Sequence, residues 1–120
     1  VADLVGLNLV AGTLAGHTLT TAGGATVVIA RGAGDGPAFV AIRPQAVSLH
    51  RHHPEGSARN VWRLTVDDVD HRDERARVSL TGQLTLTAEV TPGALIDLAI
   101  RPGDPVWASV KATDVSAYAV

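Results

Sequence analysis

Val106-Trp107-Ala108-Ser109-Val110-Lys111-Ala112-Thr113-Asp114-Val115-Ser116 can be laid on Ala38-Phe39-Val40-Ala41-Ile42-Arg43-Pro44-Gln45-Ala46-Val47-Ser48, and this self-match decides the architecture. In each copy an alternating apolar run ends on a cation, Lys111 or Arg43, and a short polar step leads to a second valine. Upstream, Val5-Gly6-Leu7-Asn8-Leu9-Val10 lies on Ser57-Ala58-Arg59-Asn60-Val61-Trp62, which matches Asn8 to Asn60. The chain therefore reads as two degenerate copies of one small unit. We place the first at residues 1–53 and the second at 54–120.

Within each copy the segments are short, β-branched and separated by glycine or proline, which is the pattern of a strand meander. Strands are expected over 7–14, 17–21, 25–30 and 38–43, with a Gly-rich loop at 31–37 and Pro44 turning the chain. A polar, flexible hinge follows over 50–56. The second copy predicts strands at 59–69, 76–80, 84–91 and 106–113, with a charged turn at 70–75. In 84–91, Leu84, Leu86, Ala88 and Val90 point to one face and Thr85, Thr87, Glu89 and Thr91 to the other. In 106–113 the same alternation puts Lys111 on a polar face with Trp107, Ser109 and Thr113. Thr91 followed by Pro92 is a helix cap and a first-turn proline, so 94–100 is expected to form a short helix that Pro102-Gly103 stops. The spacing between matched positions is larger at the lysine than at the asparagine, and the extra residues include this helix. The expected fold is all-β: two five-stranded OB-like barrels, with strand exchange between them left open, and one short helix.

Composition bounds the function. The 120 residues suffice for one domain or two very small ones sharing a core, the net charge is −2, and Lys and Arg are scattered. That leaves no basic stripe to track a phosphate backbone, so nucleic acid is not an expected partner. There is no cysteine for a disulfide or a thiolate metal site, and no apolar run long enough to span a bilayer. With Val first and no methionine, the sequence reads as a domain taken from a larger parent.

The chemistry concentrates in Gly56-Ser57-Ala58-Arg59-Asn60, where a hydroxyl, a guanidinium and a carboxamide follow a glycine. All three side chains donate hydrogen bonds, and backbone N–H groups beside a glycine can converge on an anion. A tetrahedral dianion must recover from the protein the hydrogen bonds it leaves in water, so several donors and some positive charge are what it requires. Taken singly, each residue has a plainer reading: Ser57 and Asn60 tie down a turn, and Arg59 and Lys111 are solvated charges.

Ser57-Ala58-Arg59-Asn60 entering a strand, together with Val110-Lys111-Ala112-Thr113, resembles the molybdate-binding Mop/TOBE domains, above all the C-terminal regulatory region of molybdate-importer ATPases. The lead-in Val1-Ala2-Asp3-Leu4-Val5-Gly6-Leu7-Asn8 and the segment F-V-A-I-R-P-Q-A-V-S-L at 39–49 are similar to stretches of the same proteins. The resemblance implies an oxyanion pocket built from Ser57, Ala58, Arg59, Asn60, Thr91, Lys111, Ala112 and Thr113, commonly between subunits. It implies molybdate or tungstate as ligand, a homodimer, and a parent ATPase module with an importer permease as partners. The location implied is cytoplasmic, at the inner face of the plasma membrane through the transporter, without direct membrane insertion. Two positions depart from the pattern: Leu64 stands where the family has glycine, and Ala94 where it often has serine.

Other constellations carry less. His50, His52, His53 and Glu55 invite a metal, but Pro54 and Gly56 lie in the same short segment, and no metal is assigned. Asp67, Asp68, Asp70, Asp73 and Glu74 lack the spacing of a calcium loop and are interleaved with Arg72, Arg75 and Arg77, so they read as a solvated turn. Gly32-Ala33-Gly34-Asp35-Gly36 precedes a strand, not a helix, so it is no nucleotide-phosphate loop, and no catalytic trio is apparent. The expectation is a non-catalytic regulatory domain. The alternatives are a structural dimerisation domain on an importer of iron, sulfate or polyamine, and a free-standing molybdate-storage protein.

Overall fold

A computed structural model describes residues 6–56 and 60–120. The elements run β1 (Asn8–Ala15), β2 (Thr18–Thr20), β3 (Thr26–Val28), β4 (Gly36–Ile42), a 3-10 turn (Pro44–Ala46), β5 (Ser48–His50), β6 (Asn60–Arg72), β7 (Arg75–Thr81), β8 (Leu86–Val90), α1 (Pro92–Leu98), β9 (Pro105–Val110), a second 3-10 turn (Ala112–Asp114) and β10 (Val115–Ala119). They form two five-stranded sheets, ordered β10-β4-β1-β2-β3 and β5-β9-β6-β7-β8. Each sheet has the same plan, in which its outer strand beside β4 or β9 comes from the other copy. β5 leaves the first copy to pair with β9, and β10 leaves the second to pair with β4. The exchange starts at equivalent points: Arg43 and Lys111 are both extended, with ψ of 138° and 141°, and each accepts a backbone hydrogen bond from three residues on, Ala46 and Asp114.

Alternation explains the core. In β6, Asn60, Trp62, Leu64 and Val66 point inward, and in β7 Ala76, Val78 and Leu80 meet them. With Val10, Leu14, Leu19, Val40, Ile42, Leu86, Val106 and Val110 the apolar ones among them form one buried cluster shared by both sheets. Burying a side chain of this size contributes about 1.5–3 kcal/mol, and neither small sheet could cover its apolar face alone. The helix starts as the Thr91-Pro92 pair dictates, since Thr91 Oγ1 accepts from the Ala94 N–H at 3.1 Å and Leu95 anchors the turn in the core.

Two polar clamps tie the copies together. The Asn60 carboxamide bonds both backbone groups of Val28 on β3, accepting from its N–H at 2.6 Å and donating to its carbonyl at 2.9 Å. Asn8 does the same to Thr87 on β8, at 2.7 and 2.8 Å. Each asparagine thus acts as one more ladder partner for a strand of the opposite sheet. Trp62 adds a third tie, its indole N–H donating to the Thr26 carbonyl at 2.9 Å.

Leu64 and its equivalent Gly12, four residues after the matched asparagines, show how the copies diverged. At Gly12 a Cβ would collide with the Thr20 carbonyl, so β1 and β2 approach too closely for a side chain. Leu64 has one, and the small residue stands opposite instead: a Cβ on Gly82 would lie 2.8 Å from Leu64 Cδ2.

Three expectations require correction. The β6–β7 hairpin runs through the charged stretch to Arg72 and Arg75, not turning over 70–75, because a bulge between Val66 and Asp68 twists it away from the core and its side chains are solvated on both faces. Asp73, in the left-handed region with φ 48°, makes the tight turn. His50 is not part of a hinge but the last residue of β5, with its Nε2 2.8 Å from the buried Ser109 Oγ. Finally, β9 ends at Val110, so Lys111 and Thr113 belong to a 3-10 turn and not to a strand face shared with Ser109.

Candidate functional site

Lys111, Ala112 and Thr113 line an open cleft of about 520 Å³ whose other wall is Val28, Ile29, Ala30 and His17. The 3-10 turn presents Lys111 and Thr113 to solvent because Val110 before them and Val115 after them are drawn into the core. The opposite wall is fixed by hydrogen bonds: the Ile29 N–H donates to the His17 carbonyl at 2.9 Å, and His17 Nδ1 lies 3.1 Å from the Ile29 carbonyl. A carbonyl oxygen only accepts, so His17 Nδ1 carries the proton and Nε2 is left free. The Lys111 ammonium supplies positive charge and three donors, and the Thr113 hydroxyl supplies a further one. An anion is what such a lining can hold.

The expected site residues are distributed as follows. Lys111, Ala112 and Thr113 share the cleft. Asn60 stands behind it, only 2 % exposed, with its carboxamide engaged by Val28, so its side chain shapes the wall and does not face the opening. Asn60 and Val110 are register partners, so the described ends of the two motifs meet on one ladder. Ser57, Ala58 and Arg59 lie outside the described residues. Thr91 is elsewhere, in a second, smaller cleft of about 240 Å³ with Gln45, Arg75, Glu89 and Val90. Sequence reasoning missed His17 and Val28–Ala30; the one signal pointing to them was the unexplained pairing of Asn8 with Asn60, which named the clamps but not their targets.

The second cleft carries charges of both signs. Glu89, whose side chain is 8 % exposed, receives Arg75 at 2.8 Å, Arg77 at 3.6 Å and Gln45 at 3.4 Å. The hydrogen bond to Glu89, reinforced by its charge, raises the Arg75 pKa above its already high ordinary value. Among the histidines, His50 is pushed down from its usual value by burial, which favours the neutral ring bonded to Ser109. The His53 ring meets Trp107 edge-on with centroids 4.7 Å apart. Among the described residues no three His, Cys, Asp or Glu side chains converge on a metal position. Nor is any helix among them long and apolar enough to cross a membrane.

Comparison with known proteins places this geometry. The fold matches the cytoplasmic molybdate-binding protein ModG, crystallised with molybdate bound, at a TM-score of 0.81 and 21% sequence identity over 94% of this chain and 96% of that one. In sequence, the chain is 32% identical over 84 residues to the molybdate/tungstate import ATP-binding protein WtpC of Pyrococcus horikoshii, covering 69% of this chain and 24% of that protein. It is 36% identical over 85 residues to the molybdenum import ATP-binding protein ModC of Mycobacterium tuberculosis, covering 68% and 23%. To ModC of Pectobacterium atrosepticum it is 39% identical over 84 residues, covering 67% and 24%. The matches span about a quarter of each of these relatives. Residues 56–117 match the TOBE domain, more than half of the chain, and the chain therefore belongs to the TOBE domain family.

Proposed function

We propose that this chain is the regulatory oxyanion-binding domain of an ABC importer ATPase, and that molybdate or tungstate is its ligand. The observation that carries the reading is the Lys111-Ala112-Thr113 turn, held open against the rigid Val28–Ala30 wall. Ser57, Ala58 and Arg59, just before the Asn60 that clamps that wall, are assigned as further donors, with Thr91 contributing from a facing subunit. The halves 1–53 and 54–120 act as one unit because each lends the other a strand.

The proposed assembly is a homodimer. On the outer face of β10-β4-β1, Leu9 is 53% and Tyr118 42% exposed, and the Tyr118 ring stacks on Phe39 with centroids 5.2 Å apart. An apolar face of this kind favours association. Bound anion bridging two copies would hold the parent ATPases in one arrangement, and it can bias transport only if its affinity differs between arrangements. The parent ATPase module and its permease are the partners in this reading, which places the domain in the cytoplasm beside the membrane.

Calorimetric titration with molybdate, tungstate and sulfate, combined with light scattering, tests the proposal. Saturable binding of the first two by a dimer supports it. No heat with any of the three, from a dimer, would instead favour a structural TOBE domain on an importer of another substrate. A chain that stays monomeric at high micromolar concentration would remove the interface pocket.

A further inference from the structure

The two clefts are equivalent positions of the repeat. Asn60 clamps Val28 and Asn8 clamps Thr87, so Val28 corresponds to Thr87 and, two residues on, Ala30 corresponds to Glu89. On the facing turn Thr113 corresponds to Gln45, since Lys111 and Arg43 start matching 3-10 turns. Ala30 and Thr113 line the first cleft, and Glu89 and Gln45 line the second. Where the first is open beside a lysine, the second holds a nearly buried carboxylate that accepts hydrogen bonds from Arg75 and Gln45 and pairs with the Arg77 guanidinium at 3.6 Å.

These groups are the equipment an oxyanion requires, namely two guanidinium charges and a carboxamide, and a carboxylate already faces them. We propose that Glu89 is a built-in anion that closes the second of two equivalent oxyanion clefts, leaving the Lys111 cleft as the one that admits free molybdate. The inference rests on the reading of the Lys111 cleft as an oxyanion site. It makes the side chain at position 30 or 89 the determinant of which cleft is open: alanine admits the ligand, and glutamate substitutes for it. A second dianion beside the Glu89 carboxylate would meet like charge at short range, which disfavours entry.

Equilibrium dialysis against molybdate tests this on the whole chain. Lys111→Ala weakens binding at the first cleft by about ten- to a hundred-fold. Adding Glu89→Ala to it should restore saturable binding through Arg75 and Arg77, and adding Arg75→Ala and Arg77→Ala should remove it again. In the otherwise unchanged chain, Glu89→Ala should about double the molybdate bound at saturation. The converse change, Ala30→Glu, adds a carboxylate at an exposed position and should weaken wild-type binding at least about tenfold, the scale of one charge-assisted contact. Should Glu89→Ala fail to fold, Ala30→Glu decides alone. A wild type that binds while Glu89→Ala gains nothing, or while Ala30→Glu keeps full affinity, overturns the inference. A wild type that does not bind at all refutes the proposed function instead, and the regained binding of the Lys111→Ala, Glu89→Ala double variant is then still readable.

Discussion

Replacing Asn60 by alanine separates two roles for one side chain. As an oxyanion donor, Asn60 would be dispensable for folding and required for binding; as a clamp on Val28, it is required for folding first. The carboxamide makes two hydrogen bonds, at 2.6 and 2.9 Å, from a residue that is only 2 % exposed. Leaving the Val28 N–H and carbonyl unpaired, at about 1–3 kcal/mol for each, sets the loss for Asn60→Ala at roughly 2–6 kcal/mol. Asn8→Ala breaks the matching clamp on Thr87, but Asn8 is less buried and water can replace it, so its loss should be smaller, about 1–3 kcal/mol. Urea denaturation reads both, with midpoints falling by about 1–3 M for Asn60→Ala if the slope is near 2 kcal/mol/M and unchanged. Asn60→Asp should be nearly as damaging, because a carboxylate accepts from the Val28 N–H but cannot donate to its carbonyl. An Asn60→Ala variant that keeps wild-type stability yet loses molybdate binding would refute the clamp and restore the direct-ligand role.

Lys111→Ala should weaken molybdate binding by about ten- to a hundred-fold at unchanged stability, corresponding to roughly 1.5–3 kcal/mol for a charge-assisted hydrogen bond, while Arg43→Ala, at the equivalent turn, changes little; titration of both compares them. Arg59→Ala should match Lys111→Ala in the same titration, and wild-type affinity in it would remove Arg59 from the proposed pocket. Because burial lowers the His50 pKa, the unfolded chain binds its proton first as pH falls, so this histidine's contribution is full above about pH 6.5 and declines below it until the folded-state pKa is passed. Urea midpoints measured from pH 8 to 5 should therefore fall, and less steeply in His50→Gln. Gly12→Ala should cost about 1–3 kcal/mol or more, since its Cβ meets the Thr20 backbone. Gly82→Ala should cost less because the atom it meets is a leucine methyl, and thermal melts of the two should show that order.

Local chemistry made much of this protein legible from its residues. The alternation of apolar positions in 84–91 reports which face is buried, since a strand has only two faces, whereas in 106–110 Ser109 is buried along with Ala108 and Val110. Thr91-Pro92 marked the helix start because a cap and a first-turn proline act within one turn of themselves. The self-match around Arg43 and Lys111 paired two equivalent positions, although the strand expected over 106–113 ends at Val110 and a 3-10 turn follows it. What stayed hidden was every partner chosen at a distance. Ser48–His50 and Val115–Ala119 are too short to signal a strand by their own pattern, and they become strands because β9 and β4 offer open edges. Asn60 read as a donor for a ligand because a carboxamide looks the same whether it faces an anion or a backbone; only the approach of β3 turned it inward. Thr91 and Lys111 looked like members of one pocket, and the packing of the two sheets put them in different clefts, one of which Glu89 lines. Periodicity and caps act within a few residues, so the sequence alone determined most of the elements and the repeat. Which carbonyl, carboxylate or cation each polar group meets depends on how two sheets close over a shared core, and that only the tertiary structure decided.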